Sequence, residues 1–162
     1  MQLTYEQINF FDGDAYQVHH RLSFHYDHFL TLNIIKMKIN KESLPVTMEA
    51  PGTIMRSLPG YGGMTVAFNE LPAGTDMKPL LMGLKNDSCQ CPHWGYVIEG
   101  ELVINYDDGK EERLVEGDVF YLPPGHSARI EKNLKFLDFS PEKELKEVMD
   151  HIGRKMAEMS TS

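Results

Sequence analysis

The sequence predicts a mainly β fold, a small sandwich or barrel that ends in one amphipathic helix, and three observations predict it. Turn residues punctuate the chain densely from Leu44 onward, the short runs between them alternate apolar and polar residues, and after Ser140 the apolar period changes to three and four.

Taken in order, residues 1–36 stand apart from the rest. They are rich in aromatic residues and histidine (His19, His20, His25, His28), show no clean period and are expected to form an N-terminal extension of uncertain structure. His25 and His28 have a spacing that suits a metal on a helix, but four histidines in a polar, aromatic run read as solvated side chains. Residues 37–162 are expected to form one domain. From Leu44 the marks are Pro45, Pro51-Gly52, Pro59-Gly60, Gly62-Gly63, Pro72, Gly74, Pro79 and Gly83. Met64 to Phe68, Tyr96 to Gly100 and Glu101 to Tyr106 read as strands between turns. Asp108-Gly109, flanked by apolar runs, signals a two-residue hairpin. Val119 to Leu122, Ala128 to Ile130 and Leu134 to Phe139 supply three further strands. Leu145, Val148, Met149, Ile152, Met156 and Met159 then mark a helix, with Ser140 as its N-cap and Pro141 as its first residue. Gly153 costs that helix about 1 kcal/mol relative to alanine and predicts fraying beyond it. The methionine stripe reads as core or dimer contact.

Composition narrows the function. The chain has 162 residues, 41% of them apolar and 25% charged, which suits a globular protein. A formal charge of −8 without clustered Lys and Arg argues against a nucleic-acid partner. No apolar run approaches the roughly 20 residues of a membrane helix, and the N-terminus lacks the basic region of a secretory signal, so a cytoplasmic location is expected. A sheet of this size usually has its edge covered, so a homodimer is expected.

The chemistry concentrates in Asp87-Ser88-Cys89-Gln90-Cys91-Pro92-His93-Trp94-Gly95-Tyr96, which holds both cysteines. On an extended backbone Cys89, Cys91 and His93 leave from one face. The two thiols lie too far apart there for a disulfide, since their Cβ atoms are about 6–7 Å apart and a bridge needs roughly 4 Å. Thiolates with imidazole are ligands zinc prefers, and His126, after Pro123-Pro124-Gly125, offers a fourth donor. Residues 89 and 93 on a straight strand would have Cβ atoms about 13 Å apart, while a shared metal needs roughly 9 Å or less. A bend is therefore expected near Pro92, larger for Cys89 to meet His93 than for Cys91 to do so.

Two motifs resemble those of the cupin superfamily. The first runs from Gly83 through Cys89-Gln90-Cys91 and His93 to Gly100; the second is Gly117-Asp118-Val119-Phe120-Tyr121-Leu122-Pro123-Pro124-Gly125-His126. Closer still is the resemblance to small single-domain bacterial cupins that carry the Cys-Gln-Cys-Pro-His-Trp-Gly-Tyr stretch and a Pro-Pro-Gly-His turn. The resemblance implies a double-stranded β-helix, the cupin jelly-roll barrel, holding a divalent metal. By position, Cys89 and Cys91 stand where that family has two histidines when counted from Gly83. His93 stands where it has a glutamate when counted back from Gly100, and His126 corresponds to the histidine of the second motif.

Three readings of function follow. The first is a metal-binding protein in which Cys89, Cys91, His93 and His126 close a zinc site of structural or ligand-holding role, with Fe2+ or Ni2+ as less suited ions. The second is an oxygenase- or isomerase-type enzyme in which three ligands leave a position open. The third is a metal-free ligand-sensing module, with Trp94, Tyr96, Tyr106, Phe120 and Tyr121 lining a pocket and Arg129 steering an anion. Ser88 and Ser127 lie near the candidate ligands but are paired with no recognisable base, so no catalytic residue is assigned.

Overall fold

The structure is a computed structural model and describes residues 37–160; the readings made above on residues 1–36, His25 and His28 among them, lie outside the described residues. The described chain is mainly β, an antiparallel jelly roll followed by a C-terminal helix. Its strands are β1 (Val46–Ala50), β2 (Thr53–Tyr61), β3 (Met64–Leu71), β4 (His93–Tyr106), β5 (Glu111–Val115), β6 (Val119–Leu122) and β7 (His126–Pro141). They lie in the order β1-β2-β3-β7-β4-β5, with β6 also on β4. A short helix α1 (Lys78–Leu81) and two single turns, Lys41–Ser43 and Lys85–Asp87, interrupt the strands, and α2 (Glu142–Ser160) ends the described chain.

The two long strands make the roll. Tyr96–Gly100 and Glu101–Tyr106, read above as separate strands, are one strand, as are Ala128–Ile130 and Leu134–Phe139. Along β4 and β7 the register slips between Val97 and Leu102. Gly100, at φ +96°, sits at that slip, and a Cβ there would run into the Asn133 carbonyl, so only glycine lets the strands fold over at this point. On one side of the bend β7 pairs with β3 and β4 with β6; on the other β4 pairs with β5. Leu71, Val97, Leu102, Ile104, Leu114, Phe120, Leu122, Ile130 and Leu134 fill the space between the halves.

The Asp-Gly turn differs from expectation by one residue. Tyr106 donates its N–H to the Lys110 carbonyl and Gly109 donates to that of Tyr106, so Asp107-Asp108-Gly109 form a three-residue loop. Gly109 takes the left-handed position at φ +84°, while Asp108 is not among the residues of positive φ, as the two-residue turn would require.

Helix α2 packs the first half of its apolar stripe on one end of the roll. Val148 and Ile152 are buried against Leu81, Cys89 and Cys91, with Leu145 and Met149 partly buried beside them. Each of the two buried side chains contributes about 1.5–3 kcal/mol by leaving water. Met156 and Met159, further along, are exposed. The helix starts at Glu142, one residue later than Pro141, and continues through Gly153 to Ser160. Ser140 is not its cap: that side chain is completely buried and hydrogen-bonded within the roll.

Candidate metal centre

The local backbone decides which donors meet. Ahead of the cysteines, Asn86 and Asp87 both adopt left-handed conformations (φ 57° and 53°), and the Asp87 carboxylate accepts from the Gly83 N–H at 2.7 Å. This turn sets Cys89 antiparallel to His126. The Cys89 N–H donates to the His126 carbonyl at 2.7 Å, and the Gly125 N–H donates to the Cys89 carbonyl at 2.7 Å. Gly125, at φ +93°, lets the chain leave Pro124 and enter β7 at this point. Next the chain bends at Cys91, and β4 begins at His93, after the proline that has no N–H to give a ladder.

The bend expected near Pro92 is present, but it exchanges the two thiols. Cys89 Sγ lies 3.4 Å from His93 Nε2. One donor atom from each of Cys89, His93 and His126 lies within 4.8 Å of the others. The His93 and His126 rings meet edge to face, with centroids 5.3 Å apart. Cys91 is outside this group. It is wholly buried against the underside of α2, its thiol directed to the Pro92 carbonyl at 3.4 Å.

Both imidazoles are oriented from behind. His126 Nδ1–H donates to the Pro123 carbonyl at 2.7 Å, which makes Nε2 the nitrogen available to a metal. His93 Nδ1 lies 2.7 Å from Ser140 Oγ and 3.3 Å from Asp138 Oδ2, and Ser140 Oγ donates to the same carboxylate oxygen at 3.0 Å. Asn69 Nδ2 donates to Asp138 Oδ1 at 2.9 Å. A buried carboxylate behind a ligating histidine fixes its tautomer and raises its basicity. The charges agree with this arrangement. Burial by itself would push the Cys89 thiol up, but hydrogen bonds and charge from His126 and His93 outweigh it and bring it down to about 6. Burial would likewise lower His93, yet the hydrogen bonds with Asp138 and Cys89 hold it up at about 9. Cys91 goes the other way, pushed up to about 12 by burial and by the charges of Cys89, Asp138 and Glu144. Of the two thiols, then, Cys89 is the ready thiolate.

The three donors open onto a cavity of about 170 Å³ between the roll and α2. Leu71, Leu102, Ile104, Phe120, Ile130 and Phe136 are among the residues that wall it from the roll, and Leu145, Val148, Met149 and Ile152 cover it from the helix. Of the five aromatic residues considered for a pocket, Phe120 alone lines this one. Trp94, Tyr96 and Tyr121 point outward and are exposed, while Tyr106 packs beside the core and donates its hydroxyl to Glu112. Arg129 is exposed too and pairs with Glu131 at 2.6 Å, so it does not steer ligands inside the roll. From the sequence alone Asp138 and Asn69 have no role in the site, and Ser140 reads as a helix cap. Their signal was a polar residue at an inward position of an otherwise apolar strand face: Ala67, Asn69, Leu71 on β3, and Leu134, Phe136, Asp138, Ser140 on β7.

A family profile for the cupin domain matches residues 89–138. No curated protein matches the chain. Among solved structures, an oxalate decarboxylase variant from Bacillus subtilis aligns at 16% identity and a TM-score of 0.47, covering 64% of this chain and 29% of its own. Ectoine synthase from P. lautus aligns at 17% identity and a TM-score of 0.49 over 65% of this chain and 78% of its own. An RmlC-like cupin from Shewanella frigidimarina aligns at 20% identity and a TM-score of 0.47, over 65% and 91%. No helix among the described residues is long and apolar enough to cross a membrane. The matched segment begins at the Cys89 thiol and ends at the carboxylate behind His93, and together with the strand topology it gives this chain the jelly-roll fold of a cupin.

Proposed function

We propose that Cys89, His93 and His126 hold one divalent transition-metal ion, zinc before Fe2+ or Ni2+, and that the ion and the apolar cavity together bind a small molecule. The observation that carries this reading is the convergence of three donors within 4.8 Å, each imidazole having its other nitrogen already engaged. The residues fit the ion. With Zn–S near 2.3 Å and Zn–N near 2.0–2.1 Å, tetrahedral neighbours stand roughly 3.3–3.6 Å apart. The 3.4 Å between Cys89 Sγ and His93 Nε2 falls in that range, and the other separations, within 4.8 Å, would close to it as the ion binds. A thiolate with two imidazoles suits zinc better than the histidine–carboxylate set of ferrous oxygenases.

Three protein ligands rather than four favour an open coordination position over a closed structural site. The apolar cavity in front of them supports the same choice, because a structural ion needs no chamber. When bound, the ion supplies Lewis acidity at that position. Asp138 and Ser140 orient His93, and the Pro123 carbonyl orients His126. An enzymatic role is the second reading, favoured by the same cavity. Elemental analysis of the full chain purified without a histidine tag should find about one metal ion per chain, and X-ray absorption should find one sulfur, two nitrogens and a further light atom. Two sulfurs would mean that Cys91 has joined a closed site, and protein that takes up no zinc would end the metal reading.

We also propose that a second copy of the chain covers the outer face of β4 and β6. Trp94 and Tyr121 stack there with centroids 5.0 Å apart beside exposed Tyr96 and Ile98, and Val119 is 82% exposed. Grouped apolar side chains of this kind mark contact surfaces. Light scattering at micromolar concentration should give twice the chain mass of 18.5 kDa, and a monomer mass rules the dimer out.

A further inference from the structure

We infer that Asn69 reads the ligand, and that the molecule held in the cavity is a small compound with a neutral, apolar body of about benzene's size and one O–H or N–H donor directed at Asn69 Oδ1. The inference takes the cavity to be the ligand site, as proposed above, but does not depend on the metal.

Asn69 lies on β3 with Ala67 and Leu71 on the face that lines the cavity, and only 3% of it is exposed. Its amide has one possible orientation. The Asp138 carboxylate accepts from the Ser140 hydroxyl and lies against His93, so it offers only acceptors, and the NH2 group of Asn69 must face it. The carbonyl oxygen is thereby turned away from Asp138. It is buried and has no hydrogen-bond partner among the described residues, and it is the one side-chain nitrogen or oxygen there in that condition. A buried acceptor left unpaired costs about 1–3 kcal/mol, and buried polar groups are almost always paired. Rotating the amide would not remove the cost, because the carbonyl would then face a carboxylate.

The remaining walls define the rest of the ligand. Leu71, Leu102, Ile104, Ile130 and Phe136 offer hydrocarbon, and the ionisable groups on the wall face one another, His93 lying 3.4 Å from Cys89 Sγ and 3.3 Å from Asp138 Oδ2. Asp138 is held by Asn69 and Ser140 as well, and neither Lys nor Arg lines the cavity, so no unpaired charge is left there to select an ionic ligand. A cavity of about 150 Å³ lined by such side chains is known to take benzene. The present 170 Å³ admits a body of that size.

Phenol and toluene are nearly the same shape and differ in the donor, so they form the test. Both are titrated by calorimetry into the full chain, zinc-loaded and chelator-treated, with metal content measured separately. Phenol loses more hydration on entering, so a cavity with no acceptor for it prefers toluene. With Asn69 Oδ1 waiting, phenol should bind at least about tenfold tighter than toluene. Asn69→Leu, which keeps the number and branching of the side-chain heavy atoms but has no polar atom, should reverse the preference. Equal or tighter binding of toluene to the unaltered protein would overturn the inference, as would binding of neither compound at millimolar concentration. A phenol preference that survives in Asn69→Leu also overturns it, since the hydroxyl would then be on the metal or, in the chelator-treated protein, on Cys89 or a histidine. The unaltered protein decides by itself if the variant does not fold. If zinc fails to bind while the phenol preference holds, the metal reading falls and the role of Asn69 stands.

Discussion

Replacing His126 with alanine is expected to abolish stoichiometric metal binding and to lower the melting midpoint of the metal-loaded protein by roughly 5–15 °C. The figure follows from linkage. Metal at about 100–1,000 times its dissociation constant stabilises by about 2.7–4.1 kcal/mol, and each kcal/mol moves the midpoint of a chain this long by about 2–4 °C. His126 carries such a share because it is one of three donors and the only one from β7. A metal bond there ties the Pro123-Pro124-Gly125 turn to the Cys89 segment across a loop of about thirty residues, which restricts the unfolded chain as well. The metal-free protein should lose far less, about 1 kcal/mol, the worth of the bond to the Pro123 carbonyl. Cys91→Ala is the control. Its thiol lies outside the donor group, so that variant should keep its full metal content. Retention of the ion by the His126 variant, measured by elemental analysis, would show that the cluster has been misassigned.

The candidate site was legible in the sequence as far as residue chemistry reaches. Cysteine and histidine announce themselves, and Cys89, His93 and His126 were singled out from type and spacing alone. What the residues could not supply was direction. Period-two reasoning holds along a straight strand, but the left-handed pair Asn86 and Asp87 and the bend at Cys91 break it. Cys89 is thereby carried to the histidines, and Cys91 is left under α2. Expecting Cys91 to need less bending than Cys89 to reach His93 was sound for local geometry, but the long-range bridge between Cys89 and His126 decided the outcome.

β6 lies where the sequence placed it, and β3 begins there but runs past Phe68 to Leu71, while Pro59-Gly60, a turn mark in the sequence, falls inside β2. Continuity was not legible. Gly100 reads as a turn, yet here it bends one long strand, because β7 follows β4 around the corner and keeps the ladder going. Ser140 misled for a related reason. Serine before proline and a glutamate is a good helix-start signal, but tertiary packing turned the hydroxyl towards Asp138 and His93 instead. Polar residues on an inward strand face were the clue to that network, since a buried strand position tolerates Asp, Asn or Ser only when each finds a partner.

Asp138→Asn should therefore have a large effect although Asp138 is not among the three donors. The carboxylate accepts from Ser140 and Asn69 and lies against His93, and a neutral amide of the same shape can serve only some of them. Loss of such a group behind a metal-ligating histidine weakens metal binding by about 10–100-fold. The sign of the accompanying change in His93 sets the conditions. Hydrogen bonding with Asp138, followed by that with Cys89, holds His93 up at about 9, so in the unaltered protein an incoming ion must displace a proton from this ring at neutral pH. With asparagine behind it His93 moves down towards its ordinary value and gives up that proton more readily. The loss of ligand strength is then partly hidden at pH 7 and fully expressed above about pH 9, where neither ring is protonated. Affinities should be measured by chelator competition on both sides of that value, and the His93 ring titration followed by NMR in the metal-free proteins. A role limited to packing would lower stability while leaving the His93 titration and the alkaline affinity where they were, and that pattern would remove Asp138 from the account of the site.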